Sequence, residues 1–397
     1  MQGHHAVLIQ DQEEARMVLK EIGVDPGAYK YMVPKAVYRC IKLKRVNAIA
    51  ANILKQEMLS KGGEAAVKRE ALLLEGDTDV LLMGSLKQYR LLLDKLRDQP
   101  FGLDKIAIEI QDLLDTLENG KSRVKLANGR TLDIGCRTLI MGILNLTPDS
   151  FYDGNRYSSP DMAVKRAFEM VEEGADIIDI GGASSRPGSV MIEENREIER
   201  ILPIIKRLEN KGIVISVDTF RTEVARVCLD NGVNLINDIG RLKLNTGLLP
   251  VLVKNQSPVI LMHNRLQFDQ GKPYKDLISD IILELKESIK TASDAGLDED
   301  KIIVDPGLGF GKNASENRLI VKRLWEFKSL GKPLLAGASR KSFIGQTLGI
   351  EVDKRLEGSL AVAAMAIVNG ADIIRVHDVK ETKKVALMTD AVMRENG

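Results

Sequence analysis

Cysteine is scarce: the 397-residue chain holds three, Cys40, Cys136 and Cys228, far apart and without CxxC spacing. Neither a disulfide framework nor a zinc site is indicated. Net charge is almost absent as well. Fifty-seven Lys and Arg stand against 56 Asp and Glu, a formal +1, so no global field pulls the chain toward nucleic acid or an acidic surface. No apolar run approaches the roughly 20 residues that span a bilayer. The opening MQGHHAVLIQDQEE lacks the basic start, long apolar core and small-residue cleavage site of a signal peptide. HxH and HExxH spacings are missing, and no Ser-His-Asp or Cys-His set is legible. Internal repeats and low-complexity segments are missing too. These absences lead to the expectation of a cytoplasmic enzyme that acts on small molecules and binds neither membrane nor nucleic acid.

What is present is a rhythm. From about residue 137 onward, short runs rich in Ile, Val and Leu alternate with longer stretches of helical period, the mark of βαβ units around a buried parallel sheet. Eight strands are predicted at 138–144, 176–180, 213–217, 233–236, 258–262, 301–304, 333–336 and 372–376. Helices are predicted between them, among others at 161–173, 193–210, 221–230, 274–295, 313–330 and 354–369. Gly174, Gly232 and Gly370 stand where helix C-terminal caps are expected. Eight strands in roughly 260 residues fit a closed (β/α)8 TIM barrel better than an open sheet. No GxGxxG follows the first strand, which weighs against a dinucleotide fold. The chain is long enough for a second domain. Residues 1–120 read as a smaller α/β domain of unassigned role, with strands at 5–9 and 80–83 and helices at 13–22, 46–59, 86–97 and 105–117. Residues 119–122 make a linker to a barrel domain at 121–397. The stretch 124–134, centred on Asn128-Gly129, carries a hairpin signal and is placed at the bottom of the barrel.

In such a barrel, function collects in the loops that leave the C-terminal ends of the strands. Each predicted strand here is followed by polar residues. The first runs into Asn145 and the second into a loop with Arg186. The third ends at Asp218, the fourth at Asn237, the fifth at Met262-His263 and the sixth at Asp305. The seventh leads to Lys341 and the eighth to Arg375 and His377. Asp218, Asn237, Asp305 and Lys341 supply enough donors and acceptors to read both edges of a flat heterocycle. Arg186, Arg375 and His377 suit an anion, because the Arg fork donates in pairs. Taken singly, Asp218 and Asp305 could be helix caps, Asn145 and Asn237 turn residues, and Arg186 a solvated charge. Their joint arrival at one end of one barrel argues for a site that positions substrate and stabilises charge, without a covalent nucleophile.

The segments MGILNLTPDSFYDG (141–154), GADIIDIGGASSRPGS (174–189), SVDTF (216–220), LINDI (235–239), IIVDPGLGFGK (302–312), LLAGASRKSFIG (334–345) and GSLAVAAMAIVNGADIIRVHDVKET (358–382) resemble dihydropteroate synthase. The resemblance runs in order over about 260 residues and leaves residues 1–120 outside. It implies condensation of 6-hydroxymethyl-7,8-dihydropterin diphosphate with p-aminobenzoate, releasing diphosphate and giving dihydropteroate for folate synthesis. It implies pterin contacts from Asp218, Asn237, Met262, Asp305, Lys341 and Arg375. Asn145, Arg186, Arg375 and His377 would meet the diphosphate, Asn145 together with Mg2+. Phe151, Asp153, Ser184, Ser185, Pro187, Phe310 and Ser342 would frame the p-aminobenzoate pocket, where sulfonamides would compete. Asp218, Asp305, Lys341, Arg375 and Arg186 would carry the catalysis. A homodimer is also expected.

Two departures from the family pattern fall in the second loop, usually Gly-Gly-Glu-Ser-Thr-Arg-Pro-Gly. Ala183 replaces the Glu, and Ser185 replaces the Thr while keeping its hydroxyl. A methyltransferase using a methyltetrahydrofolate-type pterin would share the Asp, Asn and Asp, but would need neither the Ser-Arg-Pro-Gly loop nor the Arg375/His377 pair. A non-catalytic pterin-binding protein would not need the intact Lys341, Arg375 and His377. The early domain has seven basic residues and no acidic one between Asp25 and Glu57, from Lys30 to Lys55. They read as a solvated face plus a dimer rim in preference to a site for an anion such as a polyglutamyl group, a phosphate or nucleic acid, and the few aromatics among them weigh further against nucleic acid.

Overall fold

The computed structural model describes residues 3–73, 75–118, 122–127, 129–146, 159–183, 192–266 and 272–393. These fall into two compact units, Met1–Asn119 and Gly120–Gly397.

The first unit contains helices α1 (Gln12–Glu21) and α2 (Tyr29–Ala36), strand β1 (Tyr38–Asn47), α3 (Ala48–Ser60), β2 (Glu64–Val67), β3 (Asp77–Ser85), α4 (Leu86–Leu96) and α5 (Leu103–Glu118). Its antiparallel sheet has the order β1-β3-β2. The strand expected at 5–9 does not form: its residues are almost all exposed and find no partner strand. The helix expected from 46 begins only at Ala48, because Val46 and Asn47 finish β1 and Asn47 caps the helix by accepting from the Ile49 N–H at 2.9 Å. Strand β1 hides beneath the basic run. Ile41, Leu43 and Val46 point into the core while Lys42 and Lys44 face solvent, and a register shift between Leu43 and Val46 turns Arg45 out at φ 51°. Lys44 pairs with Asp79 at 2.6 Å and Arg39 with Glu118 at 3.0 Å, so part of the basic run is neutralised within the unit.

The second unit opens with the hairpin β4 (Ser122–Lys125) and β5 (Thr131–Ile134). The eight barrel strands follow: β6 (Leu139–Asn145), β7 (Ile177–Gly181), β8 (Val214–Asp218), β9 (Leu235–Asp238), β10 (Val259–Met262), β11 (Ile302–Asp305), β12 (Leu335–Ala336) and β13 (Ile373–Val376). All pair in parallel in the order β11-β10-β9-β8-β7-β6-β13-β12, and a parallel bridge from Val304 to Leu334 closes the ring. The fold is the (β/α)8 barrel that the alternation predicts. Helices α6 (Pro160–Glu172), α7 (Glu194–Leu208), α8 (Thr222–Leu229), α9 (Leu248–Asn255), α10 (Leu277–Asp294), α11 (Ala314–Lys322), α12 (Ser342–Leu348), α13 (Leu356–Val368) and α14 (Val379–Met393) surround it. The single helix expected at 313–330 stops at Lys322 and continues as a tighter turn over Leu324–Leu330.

Alternation along the strands separates two cores. Ile140, Ile178, Ile215 and Ile374 face the helices, in one cluster with α6, α7 and α13 side chains. Met141, Ile177, Val214, Leu235, Ile260, Ile303, Leu335 and Ile373 face inward and pack against Val124, Leu126, Leu132 and Ile134 of the hairpin. The hairpin therefore plugs the N-terminal end, where it buries apolar side chains that would otherwise meet water. Two residues further along, the inward positions of β7, β8, β9, β11 and β13 turn polar, as Asp179, Ser216, Asn237, Asp305 and Arg375. No helix of the described residues is long and apolar enough to cross a membrane.

Candidate active site

The polar layer begins one pleat above the plug. On β7 the inward residue after Ile177 is Asp179, fully buried, and on β13 the one after Ile373 is Arg375. The Arg375 guanidinium donates from Nε to Asp179 Oδ2 at 2.7 Å and from Nη2 to Asp218 Oδ2 at 2.8 Å. Asn237 on β9 donates to the same Asp179 oxygen at 3.1 Å. Four strands are thus tied across the barrel by one carboxylate and one guanidinium. Asp179 is the residue that sequence motifs leave unremarked. Its signal is a lone charge inside the apolar run Ile177–Gly181.

The opposite wall belongs to β10, β11 and β12. Met262 ends β10 beside Asp305 of β11, and both are buried. Asp305 accepts from the Gly307 N–H at 2.7 Å, which orients its carboxylate. Gly337 follows β12, and a side chain there would meet Arg375 and Asp305 Oδ2, so the glycine keeps the floor between those two groups open. Lys341 precedes α12, and its ammonium donates to the Leu308 carbonyl and lies 4.7 Å from the centre of the half-buried Phe310 ring. His377 Nδ1 lies 3.1 Å from the Ser339 hydroxyl. Asn145 ends β6, half-buried, opposite Gly181. Ser342 is exposed at the first position of α12. Phe151, Asp153, Ser184, Ser185, Arg186 and Pro187 lie outside the described residues.

Burial sets the electrostatics. It pushes Asp218 up to about 7 against the pull of Arg375, with Asp179, Glu197 and Asp238 adding to the rise. Burial also raises Asp305, although Lys341 and the Gly307 N–H oppose it. The same desolvation lowers Lys341 to about 8 against the attraction of Asp305. Carboxylates that resist ionisation and a lysine that resists protonation are groups whose charges wait for a partner. Two nearby polar residues are committed elsewhere. Arg340 forms a two-pronged pair with Asp378, both at 2.8 Å. His263 lies behind the wall against Glu284 at 3.1 Å and is depressed to about 3 by burial.

A closed parallel barrel with a donor–acceptor ring at its C-terminal mouth hosts many chemistries, so the likeness to known proteins decides. The model of the family described as pterin binding enzyme matches residues 141–377. The dihydropteroate synthase of Clostridium beijerinckii is 46% identical over 267 residues, covering 67% of this chain and 98% of that protein. The chain belongs to the dihydropteroate synthase family. The crystal structure of the Clostridium difficile dihydropteroate synthase with pteroic acid superposes with a TM-score of 0.63 at 44% identity, over 66% of this chain and all of that one. Residues before the barrel also have a counterpart. A probable bifunctional folylpolyglutamate synthase/dihydropteroate synthase of Halobacterium salinarum is 37% identical over 386 residues, 96% of this chain and 46% of that protein.

Proposed function

We infer that the protein is a dihydropteroate synthase, a transferase of folate biosynthesis. It joins 6-hydroxymethyl-7,8-dihydropterin diphosphate to p-aminobenzoate and releases diphosphate. The observation that carries this reading is Arg375 held between Asp179 and Asp218, across the open floor at Gly337 from Asp305 and Lys341. A flat bicyclic ring laid on that floor meets acceptors along one edge and donors along the other. Asp305 accepts from the ring N–H and the exocyclic amine, and Lys341 donates to the ring carbonyl. Asn237 and Asp218 complete the edge, and Met262 packs against the ring.

The reaction breaks the bond between the pterin methylene carbon and the diphosphate oxygen, and the electron pair leaves with diphosphate. The methylene cation is delocalised into the ring, where Asp218 and Asp305 stabilise it. Arg375, His377 and Arg186 hold the leaving charge. The amine nitrogen of p-aminobenzoate then forms the new C–N bond and gives up a proton. Phe310 and Ser342, with Phe151, Asp153, Ser184, Ser185 and Pro187, frame that amine. Asn145 fits a magnesium role: an amide oxygen at a strand tip, joined by substrate phosphate oxygens and water, is the sparse hard-oxygen set that Mg2+ accepts. Bound there, Mg2+ would neutralise part of the diphosphate charge. The chain would pair with a second copy, and Leu387, Met388 and Val392 of α14, all more than half exposed, offer an apolar face for it.

The decisive assay measures diphosphate release by the full chain. Release is expected only when the pterin diphosphate and p-aminobenzoate are both present. Tight pterin binding without turnover would sink the synthase reading.

The shifted Asp218 and Lys341 groups lead to a second expected result. For kcat/KM of the pterin substrate, Asp218 has to be ionised and Lys341 protonated. Activity should therefore rise as pH climbs through about 7 and fall above about 8. Lys341→Arg should abolish the alkaline limb, because guanidinium keeps its proton. An unchanged alkaline limb in that variant would assign it to another group.

A further inference from the structure

Lys312 is a buried lysine outside the strand-tip ring, and its ammonium has no carboxylate within ion-pair distance among the described residues. Its Nζ donates to three backbone carbonyls: Gly307 at 2.8 Å, Phe310 at 2.9 Å and His263 at 3.4 Å. Two of these lie in the loop that follows β11, and the third ends the path of β10. The loop needs such a tie. Gly307 sits at φ 69°, and a side chain on it would collide with the His263 carbonyl, so the chain folds directly onto the end of the neighbouring strand with carbonyls crowded together. A methionine or leucine would fill the space of the lysine stem equally well. What the ammonium adds is the convergence of those three oxygens.

That convergence has a consequence at the mouth. Between the two tied carbonyls stand Leu308, whose carbonyl accepts from Lys341, and Gly309, whose N–H is held by Asn317 at 2.7 Å. Phe310, against which Lys341 rests, carries one of the tied carbonyls itself. We propose that Lys312 is a positioning residue for the synthase reaction: by gathering the carbonyls of Gly307, Phe310 and His263 it holds the Leu308 carbonyl and the Phe310 ring where they aim the Lys341 ammonium at the pterin. Burial depresses the Lys312 ammonium to about 7, with Asp305 and Glu284 supporting its charge.

The proposal rests on the pterin reading of the site. It is tested on the full chain with Lys312→Met, with Lys312→Gln, which keeps an uncharged NH2 donor, and with Ile320→Val as a control in the buried face of α11. Steady-state kinetics, calorimetric binding of 6-hydroxymethylpterin and hydrogen exchange are the readouts. Lys312→Met should raise KM for the pterin diphosphate about tenfold or more while kcat changes less than threefold. Removing the aim of a group that grips substrate and transition state alike costs binding uniformly. Lys312→Gln should fall between, and exchange should quicken at Gly309, Phe310 and Gly311. The control should lower the melting temperature without moving KM. If Lys312→Met instead lowered only the melting temperature, or lowered kcat with KM unchanged, the positioning role would be overturned. If Lys312→Met failed to fold, the decision passes to Lys312→Gln, whose unchanged KM and loop exchange would overturn the proposal. A wild-type chain with no pterin affinity would sink the synthase reading instead, whereas wild-type affinity with unaltered variants sinks this one alone.

Discussion

Replacing Arg375 with methionine is expected to lower stability by about 3–5 kcal/mol near neutral pH, because removing one partner of a buried ion pair strands the other. Here it strands two carboxylates at once. Asp179 is wholly enclosed and Asp218 nearly so, and among the described residues Arg375 is the one side chain that donates to both. The sign of the pH dependence separates charge from packing. Burial already raises the Asp218 carboxyl, and Arg375 is the main force opposing that rise. Without Arg375 the Asp218 carboxyl should take up its proton well above the ordinary range. Protonation relieves the stranded charge, so the loss should shrink as pH falls from 8 to 5. Urea unfolding at both pH values measures this, and an equal loss at each would show that packing is the cause. The same variant should lose about a hundred- to thousandfold in kcat/KM, the usual effect of removing one preorganised charge aimed at a leaving group.

Asp305→Asn should move stability and binding in opposite directions. The carboxylate is buried and raised by desolvation, so its ionised form is a cost carried by the unliganded protein. An amide of the same shape removes that cost and keeps an oxygen for the Gly307 N–H, so the melting temperature should rise. Pterin binding should weaken by at least a hundredfold. Two charge-assisted hydrogen bonds, worth about 1.5–3 kcal/mol each, are lost, and the new NH2 group turns a donor toward the ring's own donors. Calorimetry with 6-hydroxymethylpterin and a thermal melt on the same preparation decide the matter. Unchanged pterin affinity would mean that the ring edges are assigned wrongly. A fall in both quantities would mean that Asp305 holds the loop more than it holds ligand. Gain of stability with loss of binding is the common signature of a group retained for function.

The basic run from Lys30 to Lys55 illustrates what composition leaves out. Its charges mark a surface, yet Ile41, Leu43 and Val46 of β1 are apolar core positions, and strand β1 forms because Leu82 and Val80 of β3 stand opposite Ile41 and Leu43. The strand expected at 5–9 shows the reverse error. Its local alternation is adequate, but a strand needs a neighbour to satisfy its backbone, and none is supplied.

By itself the sequence determined the barrel, its eight strands to within a residue or two, and the polar residues at their tips. Those are local signals: an apolar run, a turn, and a loop that follows a strand end. Period-two alternation inside the barrel left less trace, because both faces of a parallel strand are buried and read alike. That is why Asp179, a lone charge in an apolar run, gave no sign of which face it occupies. Only the closed structure decided that Asp179, Asp218 and Arg375 are one cluster, joining residues 196 and 157 positions apart. Only the structure decided, too, that Arg340 is spoken for by Asp378 and that Lys312 is tied to three carbonyls. Pairing across a ring depends on which strands become neighbours when it closes, and that is a property of the whole chain.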